Sequence, residues 1–258
     1  MKITALLENT THRDGLQTEH GLSLYIETDR HKILFDMGQT DLFAHNAELL
    51  GIDLSAVDIA ILSHGHYDHG GGLAKFLECN DHAPIYIHKD AFLPHYNGTA
   101  KYIGLDTALA HHPRIRLVSG QLAIDETLIL FDCNERKRPH SFGSGGLTER
   151  VGDQFFPDDF RHEQYLLIHE KGTRVLISGC SHKGIIDIAE WFEPDVLIGG
   201  FHFSKFSLDK KLTDAAKLLD AIPTHYYTCH CTGETQFQFI KERMNHLNYL
   251  SCGDCIEL

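Results

Sequence analysis

Residues 57–73 read VDIAILSHGHYDHGGGL, an apolar run that leads into a loop crowded with histidine. The apolar run predicts a buried strand. The loop after it carries three imidazoles and a carboxylate within six residues: His64, His66, Asp68 and His69. Residues two apart in an extended chain point the same way, so His64 and His66 can bind one metal ion. A turn then presents Asp68 and His69 to a neighbouring position, which predicts a two-metal site just past the strand end.

The composition is that of a globular protein that buries a core. The chain has 258 residues, 42% of them apolar, and a net charge of −13. This charge disfavours nucleic acid or an anionic membrane as a partner. The sequence contains no signal-peptide pattern and no apolar run long enough for a membrane helix, so we expect a soluble, cytoplasmic protein. Histidine is overrepresented, at 20 residues, and the seven cysteines predict thiols or metal ligands rather than disulfides.

Strand-like and helix-like segments are interspersed in both halves of the chain, which predicts a layered α/β fold. The predicted strands are 2–7, 22–27, 32–36, 57–62, 84–88, 127–131, 165–169, 173–178, 195–199 and 224–229. The predicted helices are 41–50, 71–78, 184–192, 209–221 and 234–246.

Residues 132–163 interrupt this alternation of strands and helices, and their sequence predicts no regular element. A long connection inside a compact domain is usually a lid or a binding loop. This one contains a basic run, Arg136, Lys137 and Arg138, in an acidic chain. A solvated loop would explain the run, and so would a substrate loop that binds an anion. We expect one domain over residues 1–258, with 132–163 as its lid.

The sequence HGHYDH resembles the HxHxDH signature of the metallo-β-lactamase superfamily. The resemblance implies a four-layer αββα sandwich with two metal ions at the shared edge of its sheets. Further motifs resemble a subgroup of metal-dependent hydrolases whose relatives include an archaeal synthase of a dihydropterin-linked ribofuranosylaminobenzene 5′-phosphate. These motifs are EHGLS (19–23), LFDMG (34–38), SGCSH (178–182), GGFH (199–202) and HCTG (230–233).

The resemblance also implies roles for single residues. His64 and His66 serve one metal, and Asp68 and His69 serve the other. His230, after a late strand, matches the last ligand histidine of the superfamily. Asp36 matches the acidic residue that supports the ligand loop from behind, although an ordinary turn aspartate would also fit there.

The middle motifs depart from the superfamily pattern, in which strand 173–178 ends in Gly-Asp. Here the strand is followed by Gly179 and Cys180, with His182 two residues later. We favour His182 as the missing ligand, because imidazole suits these metals. Cys180 is the second choice, and Asp159 and His162 are weaker candidates.

His202 follows a short apolar strand and two glycines, so it could contact substrate or donate a proton. A structural histidine is an equal alternative. We count Asp68 and His202 as the catalytic candidates. The pairs Cys229 with Cys231 and Cys252 with Cys255 allow a separate zinc or redox site, but buried free thiols are the simpler interpretation.

Together these residues predict a binuclear hydrolase in which a hydroxide formed on the metals attacks a small, anionic ester, thioester or phosphoester. The metals are two divalent ions, zinc first, with manganese or iron as alternatives. A synthase that joins a dihydropterin to a phosphorylated arylamine, and a non-catalytic metal or redox sensor, are the competing hypotheses. The sequence does not define the substrate or the oligomeric state.

Overall fold

The computed structural model describes residues 1–258, which form two compact units. The first unit comprises Met1–Ser119, Ser144–Gln164 and Ser251–Leu258, and the second comprises Gly120–Gly143 and Tyr165–Leu250. Each unit has its own seven-stranded mixed sheet and its own apolar core. The expectation of a single domain stays a prediction.

The strands and helices are numbered along the chain. The strands are β1 (Lys2–Leu7), β2 (Ser23–Glu27), β3 (Lys32–Phe35), β4 (Ile59–Ile61), β5 (Ile85–His88), β6 (His95–Asn97), β7 (Lys101–Tyr102), β8 (Ile115–Val118), β9 (Gln121–Ala123), β10 (Leu128–Phe131), β11 (Leu147–Val151), β12 (Gln154–Pro157), β13 (Tyr165–Glu170), β14 (Thr173–Ile177), β15 (Val196–Ile198), β16 (His225–Thr228), β17 (Leu247–Tyr249) and β18 (Cys255–Glu257). The helices are α1 (Leu42–Leu49), α2 (Tyr67–Gly70), α3 (Leu73–Cys79), α4 (Ile185–Phe192), α5 (Lys210–Asp220) and α6 (Glu234–Lys241).

The large sheet of the first unit has the order β18-β1-β2-β3-β4-β5-β8. Its first four strands are antiparallel, and β3, β4, β5 and β8 are parallel. Phe35 of β3 pairs with Ile61 of β4. Because parallel strands end at the same edge of a sheet, Asp36 emerges beside the loop that begins at Leu62.

Helices α1 and α3 contribute to the apolar core of this unit. Phe43 of α1 and Phe76 of α3 are fully buried with residues of the sheet such as Leu34. Asn46 of α1 is also fully buried. Its amide donates to the carbonyls of Leu6, at 2.9 Å, and Gln17, at 2.8 Å, so one polar side chain ties the helix to β1 and to the segment after it.

A smaller sheet of the first unit corrects the prediction for residues 132–163. Strands β11 and β12 form a hairpin within that segment and continue the order β12-β11-β6-β7. The prediction of no regular element is therefore wrong. Both strands are largely solvent-accessible, so their sequences lack the apolar alternation that marks a half-buried strand.

The second unit repeats the mixed arrangement, in the order β17-β16-β15-β14-β13-β10-β9. Strands β14 to β17 are parallel, and β14, β13, β10 and β9 are antiparallel. Helices α4, α5 and α6 supply apolar side chains to its core. Asp209 caps α5 by accepting from the amides of Lys211 and Leu212, which satisfies donors that the helix itself leaves open.

All ten predicted strands and all five predicted helices are present, and most boundaries agree within two residues. Helix α6 ends at Lys241, five residues before the predicted end. The short strands β6 to β9, β11, β12, β17 and β18 were not predicted. None of the helices combines the length and the apolarity that crossing a membrane requires.

We expect Asn46→Ala to lower the free energy of unfolding by about 2–3 kcal/mol, because the carbonyls of Leu6 and Gln17 lose the buried amide that donates to them. Urea unfolding of the purified protein measures this change. His45→Ala, at an exposed position of the same helix, is the matched control and should change stability by less than about 0.5 kcal/mol. Equal stability of both variants would contradict the role assigned to Asn46.

Candidate metal centre

The histidine-rich loop of the first unit follows β4 and enters the short helix α2. His64, His66, Asp68 and His69 are all buried. The ring centroid of His64 lies 4.5 Å from that of His66 and 4.2 Å from that of His69. His66 is extended and precedes the first helical residue, so the chain turns between the first pair of candidate ligands and the second.

Asp36 lies directly behind this loop and is fully buried. Its Oδ1 accepts from the amide of Ser63 at 2.7 Å. Its Oδ2 accepts from the Ser63 hydroxyl at 2.7 Å and from Nδ1 of His69 at 2.6 Å. The parallel pairing of β3 with β4 creates this contact, because the amide of Asp36 itself donates to the carbonyl of Ile61.

These hydrogen bonds fix the tautomers of two histidines. A carboxylate only accepts, so His69 carries its proton on Nδ1. Ser63 uses its hydroxyl proton on Asp36, and its oxygen then accepts from Nδ1 of His64 at 2.8 Å. Both rings therefore present Nε2 as the nitrogen that can bind a metal. A carboxylate behind a histidine is the usual arrangement at protein metal sites.

The environment shifts the pKa values of two loop histidines in opposite directions. Burial alone would lower the pKa of His69, but the Asp36 carboxylate outweighs this effect and raises it. The pKa of His66 is held well below its ordinary value by burial and then by the neighbouring imidazole of His162. A neutral His66 keeps a lone pair for a metal at neutral pH.

Close backbone packing holds the loop in place. A side chain at Gly72 would come within 2.1 Å of the carbonyl oxygen of Met37, so only glycine fits there. The amide of Met37 donates to the carbonyl of His69 at 2.7 Å. The Asp68 carboxylate lies 3.2 Å from Nε2 of His20, an exposed residue. The loop is thus anchored by main-chain contacts and leaves its polar side chains to face inward.

A second polar cluster of the first unit combines His66 and His162, which the sequence already indicated as candidates, with His95 and Asp158, which it did not indicate. His95 of β6 donates from Nδ1 to Oδ2 of Asp158 at 2.9 Å, and Nε2 of His162 lies 3.3 Å from the same oxygen. One donor atom each of His66, His95, Asp158 and His162 lie within 4.8 Å of one another. Burial alone would raise the pKa of Asp158, but the hydrogen bonds from His162 and His95 hold it far below its ordinary value.

The second unit carries the other predicted site residues at the ends of its parallel strands. His182 follows β14 and is buried, and His202 follows β15 and is half-buried. Their ring centroids lie 4.3 Å apart. Cys180, His230 and Cys231 form a further buried group with donor atoms within 4.8 Å of one another. The thiol of Cys231 also donates to the carbonyl of Cys180 at 3.4 Å.

Several of these residues have a strained backbone. The φ angles of Asp36, Ser181, His202 and His230 are 61°, 58°, 56° and 47°. Each lies in the left-handed region, which costs a residue other than glycine about 1–3 kcal/mol. Such strain clusters at functional sites, where the surrounding structure maintains it.

One residue of the basic run takes part in the packing of the second unit. Arg136 donates to the carbonyl of Trp191 at 2.9 Å, and its guanidinium lies over the rings of Trp191 and Phe192 at the end of α4. Lys137 is exposed and Arg138 is half-buried. These two remain the predicted anion-binding residues, whereas Arg136 is held by its own unit.

The remaining candidates are less suited to bind metal. Asp159 is exposed and accepts from the amide of Arg161. No disulfide bond joins any of the seven cysteines. Burial, with the Glu8 carboxylate as the next cause, raises the pKa of Cys252 to about 12. The Cys252 thiol donates to the carbonyl of Leu6 at 3.2 Å, which agrees with a buried thiol that has a structural role.

Comparison with known proteins defines the family. The metallo-beta-lactamase superfamily model matches residues 17–230. The chain belongs to this superfamily. It is 31% identical to an uncharacterized protein of Methanocaldococcus jannaschii, over 90% of each chain. It is 28% identical to the 7,8-dihydropterin-6-methyl-4-(beta-D-ribofuranosyl)-aminobenzene-5′-phosphate synthase of the same organism, over 100% of this chain and 96% of that one.

A solved structure agrees with this assignment. The crystal structure of Tm1679, a metal-dependent hydrolase of the beta-lactamase superfamily, superimposes with a TM-score of 0.86 and 29% identity, over 100% of this chain and 99% of that one. The family resemblance and the metallo-β-lactamase type of α/β fold, both predicted from the sequence, are therefore confirmed.

We expect Asp36→Asn to weaken zinc binding by about 10–100-fold, the usual cost of losing such a supporting carboxylate. The asparagine amide would point an N–H at Ser63 or His69 and so favour the wrong tautomer. Competition with a chromophoric chelator measures the affinity. The matched control is Asp58→Asn, because Asp58 pairs with His31 on the surface. A loss of zinc affinity in Asp58→Asn as large as in Asp36→Asn would contradict the assignment.

Proposed function

We propose that this protein is a binuclear metal-dependent hydrolase that acts on a small anionic ester, thioester or phosphoester. The observation that carries the proposal is the contact of Asp36 with Ser63 and His69, which sets two ligand histidines in the tautomer that binds metal. Superfamily membership supports the same conclusion. A cytoplasmic location and a small-molecule partner are part of this proposal.

The proposed ligands are named from the sequence and the donor chemistry: His64, His66, Asp68, His69, His182 and His230. When bound, two divalent ions supply a water of lowered pKa as nucleophile and stabilise negative charge on the substrate. Asp68 and His202 are the proposed catalytic residues. His202 adjoins His182 and is half-buried, which suits a residue that contacts substrate or donates a proton to the leaving group. Lys137 and Arg138 are proposed to bind the anionic group.

We propose zinc as the metal. Five of the six proposed ligands are imidazoles, a donor that suits zinc, whereas manganese prefers oxygen ligands. Zinc also has no redox chemistry of its own, and hydrolysis requires none.

A second candidate function is the synthase reaction that joins a dihydropterin to a phosphorylated ribofuranosyl arylamine. The observation that favours it is the similarity to the archaeal synthase over the whole of this chain. The same metal ligands would serve both reactions, so product analysis must separate them.

Metal content is the first test. We expect about two metal ions per chain in the wild type. Mass spectrometry should find less metal in Asp68→Ala and His182→Ala, because each loses a ligand, and unchanged metal in Cys180→Ala. Fewer than two ions in a wild type purified without chelators would contradict the binuclear mechanism.

Chelation tests the reaction class. We expect hydrolysis of an anionic ester or phosphoester panel to stop after treatment with a chelator and to return with zinc. Parallel incubation with a dihydropterin and a phosphorylated arylamine, followed by chromatography, detects condensation. A condensed product without hydrolysis would replace the hydrolase by the synthase. Full metal occupancy without turnover of either set would favour a sensor.

A further inference from the structure

The peptide between the first two candidate ligands is held from both sides. The amide of Gly65 donates to Nδ1 of His162 at 2.9 Å. On the other side, a Cβ at Gly65 would come within 2.2 Å of the carbonyl oxygen of Ala91. His64 and His66 flank this peptide, so its position determines where both side chains begin.

The hydrogen bonds of His162 fix its tautomer. The Gly65 amide can only donate, so Nδ1 of His162 must be unprotonated. The proton of the neutral ring therefore lies on Nε2 and is donated to Oδ2 of Asp158, 3.3 Å away. The ring is fully buried, so two N–H groups that faced each other there would raise the free energy of the fold.

Asp158 is itself anchored. Its Oδ1 accepts from the amide of Phe160 at 2.7 Å, and its Oδ2 accepts from His95 at 2.9 Å in addition to His162. Three donors facing two oxygens require a carboxylate at this position. An amide would present an N–H to at least one of these donors.

The same cluster has the composition of a metal site, since His66, His95, Asp158 and His162 offer donor atoms within 4.8 Å of one another. The hydrogen bonds argue against His162 as a ligand. Binding a metal through Nε2 would place the proton of the neutral ring on Nδ1, against the Gly65 amide. Binding through Nδ1 would displace that amide.

We infer that Asp158 and His162 position the Gly65 peptide, and with it His64 and His66, for metal binding. His162 is a positioning residue rather than a ligand. This inference rests on the proposed metal-binding function, and it adds a second support of the ligand loop, on different residues from the Asp36 support.

Two substitutions of His162 separate the roles of its two nitrogens. In His162→Asn the amide oxygen lies near the place of Nδ1 and can accept from Gly65. In His162→Gln the amide reaches the place of Nε2 and presents no acceptor to Gly65. Zinc affinity is measured by chelator competition, zinc per chain by mass spectrometry, and folding by thermal unfolding of the metal-free proteins.

We expect His162→Gln to bind zinc about 10–100-fold more weakly than wild type, and His162→Asn to bind at least about fivefold more tightly than His162→Gln. The number of zinc ions at saturation should be the same in all three proteins. Loss of a whole zinc equivalent in both variants would make His162 a ligand and overturn the inference. Affinities equal to wild type in both would also overturn it.

Asp158→Asn keeps the inference testable if a His162 variant does not fold. Its NH2 group would face either the two histidines or the Phe160 amide, and each arrangement disturbs the support of His162, so we expect weaker zinc binding at unchanged stoichiometry. The control is Asp159→Asn, at the adjacent exposed position, which should bind zinc like wild type. Unchanged zinc affinity in Asp158→Asn would overturn the inference. A wild type that binds no zinc would instead refute the proposed function.

Discussion

The buried carboxylate of Asp36 constrains the ligand loop more than any other group in the first unit. An ionised carboxylate without partners could not remain in such a place, because burying a charge costs more than folding can supply. Asp36 therefore needs hydrogen-bond donors. The pairing of β3 with β4 places the donors of Ser63 and His69 beside it. The strand register therefore places the carboxylate, and the carboxylate in turn fixes the tautomer of the histidine. A shift in the register of β3 against β4 would separate Asp36 from Ser63 and His69 and would also move buried apolar side chains out of the core.

The second unit also places its candidate site residues just after the ends of parallel strands. Its parallel strands β14, β15 and β16 end at one edge, and His182, His202 and His230 follow these strands. Four of the eight non-glycine residues with positive φ belong to the ends of strands that carry site residues: Asp36, Ser181, His202 and His230. Within each unit, sharp backbone turns at strand ends bring side chains close to one another, and the surrounding sheet maintains the strain.

The sequence predicted those elements whose local pattern of apolar residues reflects their burial in the fold. Buried strands such as β4 and β15 are continuous apolar runs, and the ligand loop is a compact motif that needs no partner to be recognised. The cluster of His95, Asp158 and His162 was not predictable in this way. His95, in β6, and Asp158, which follows β12, lie 63 residues apart, and strands β6 and β11 contain no run of apolar residues. Only the pairing of these strands brings the side chains together.

The proposed metal site accounts for the amount of polar burial in the first unit, which stability alone does not explain. Fully or almost fully buried imidazoles and carboxylates usually weaken a fold relative to apolar residues of the same size. This unit nevertheless buries Asp36, His64, His66, His69, His95, Asp158 and His162. Their hydrogen bonds form two separate supports, one from Asp36 and one from Asp158, and both end on the segment from Ser63 to His69. Hydrogen bonds that converge on one loop in this way are expected where side chains hold metal ligands in position.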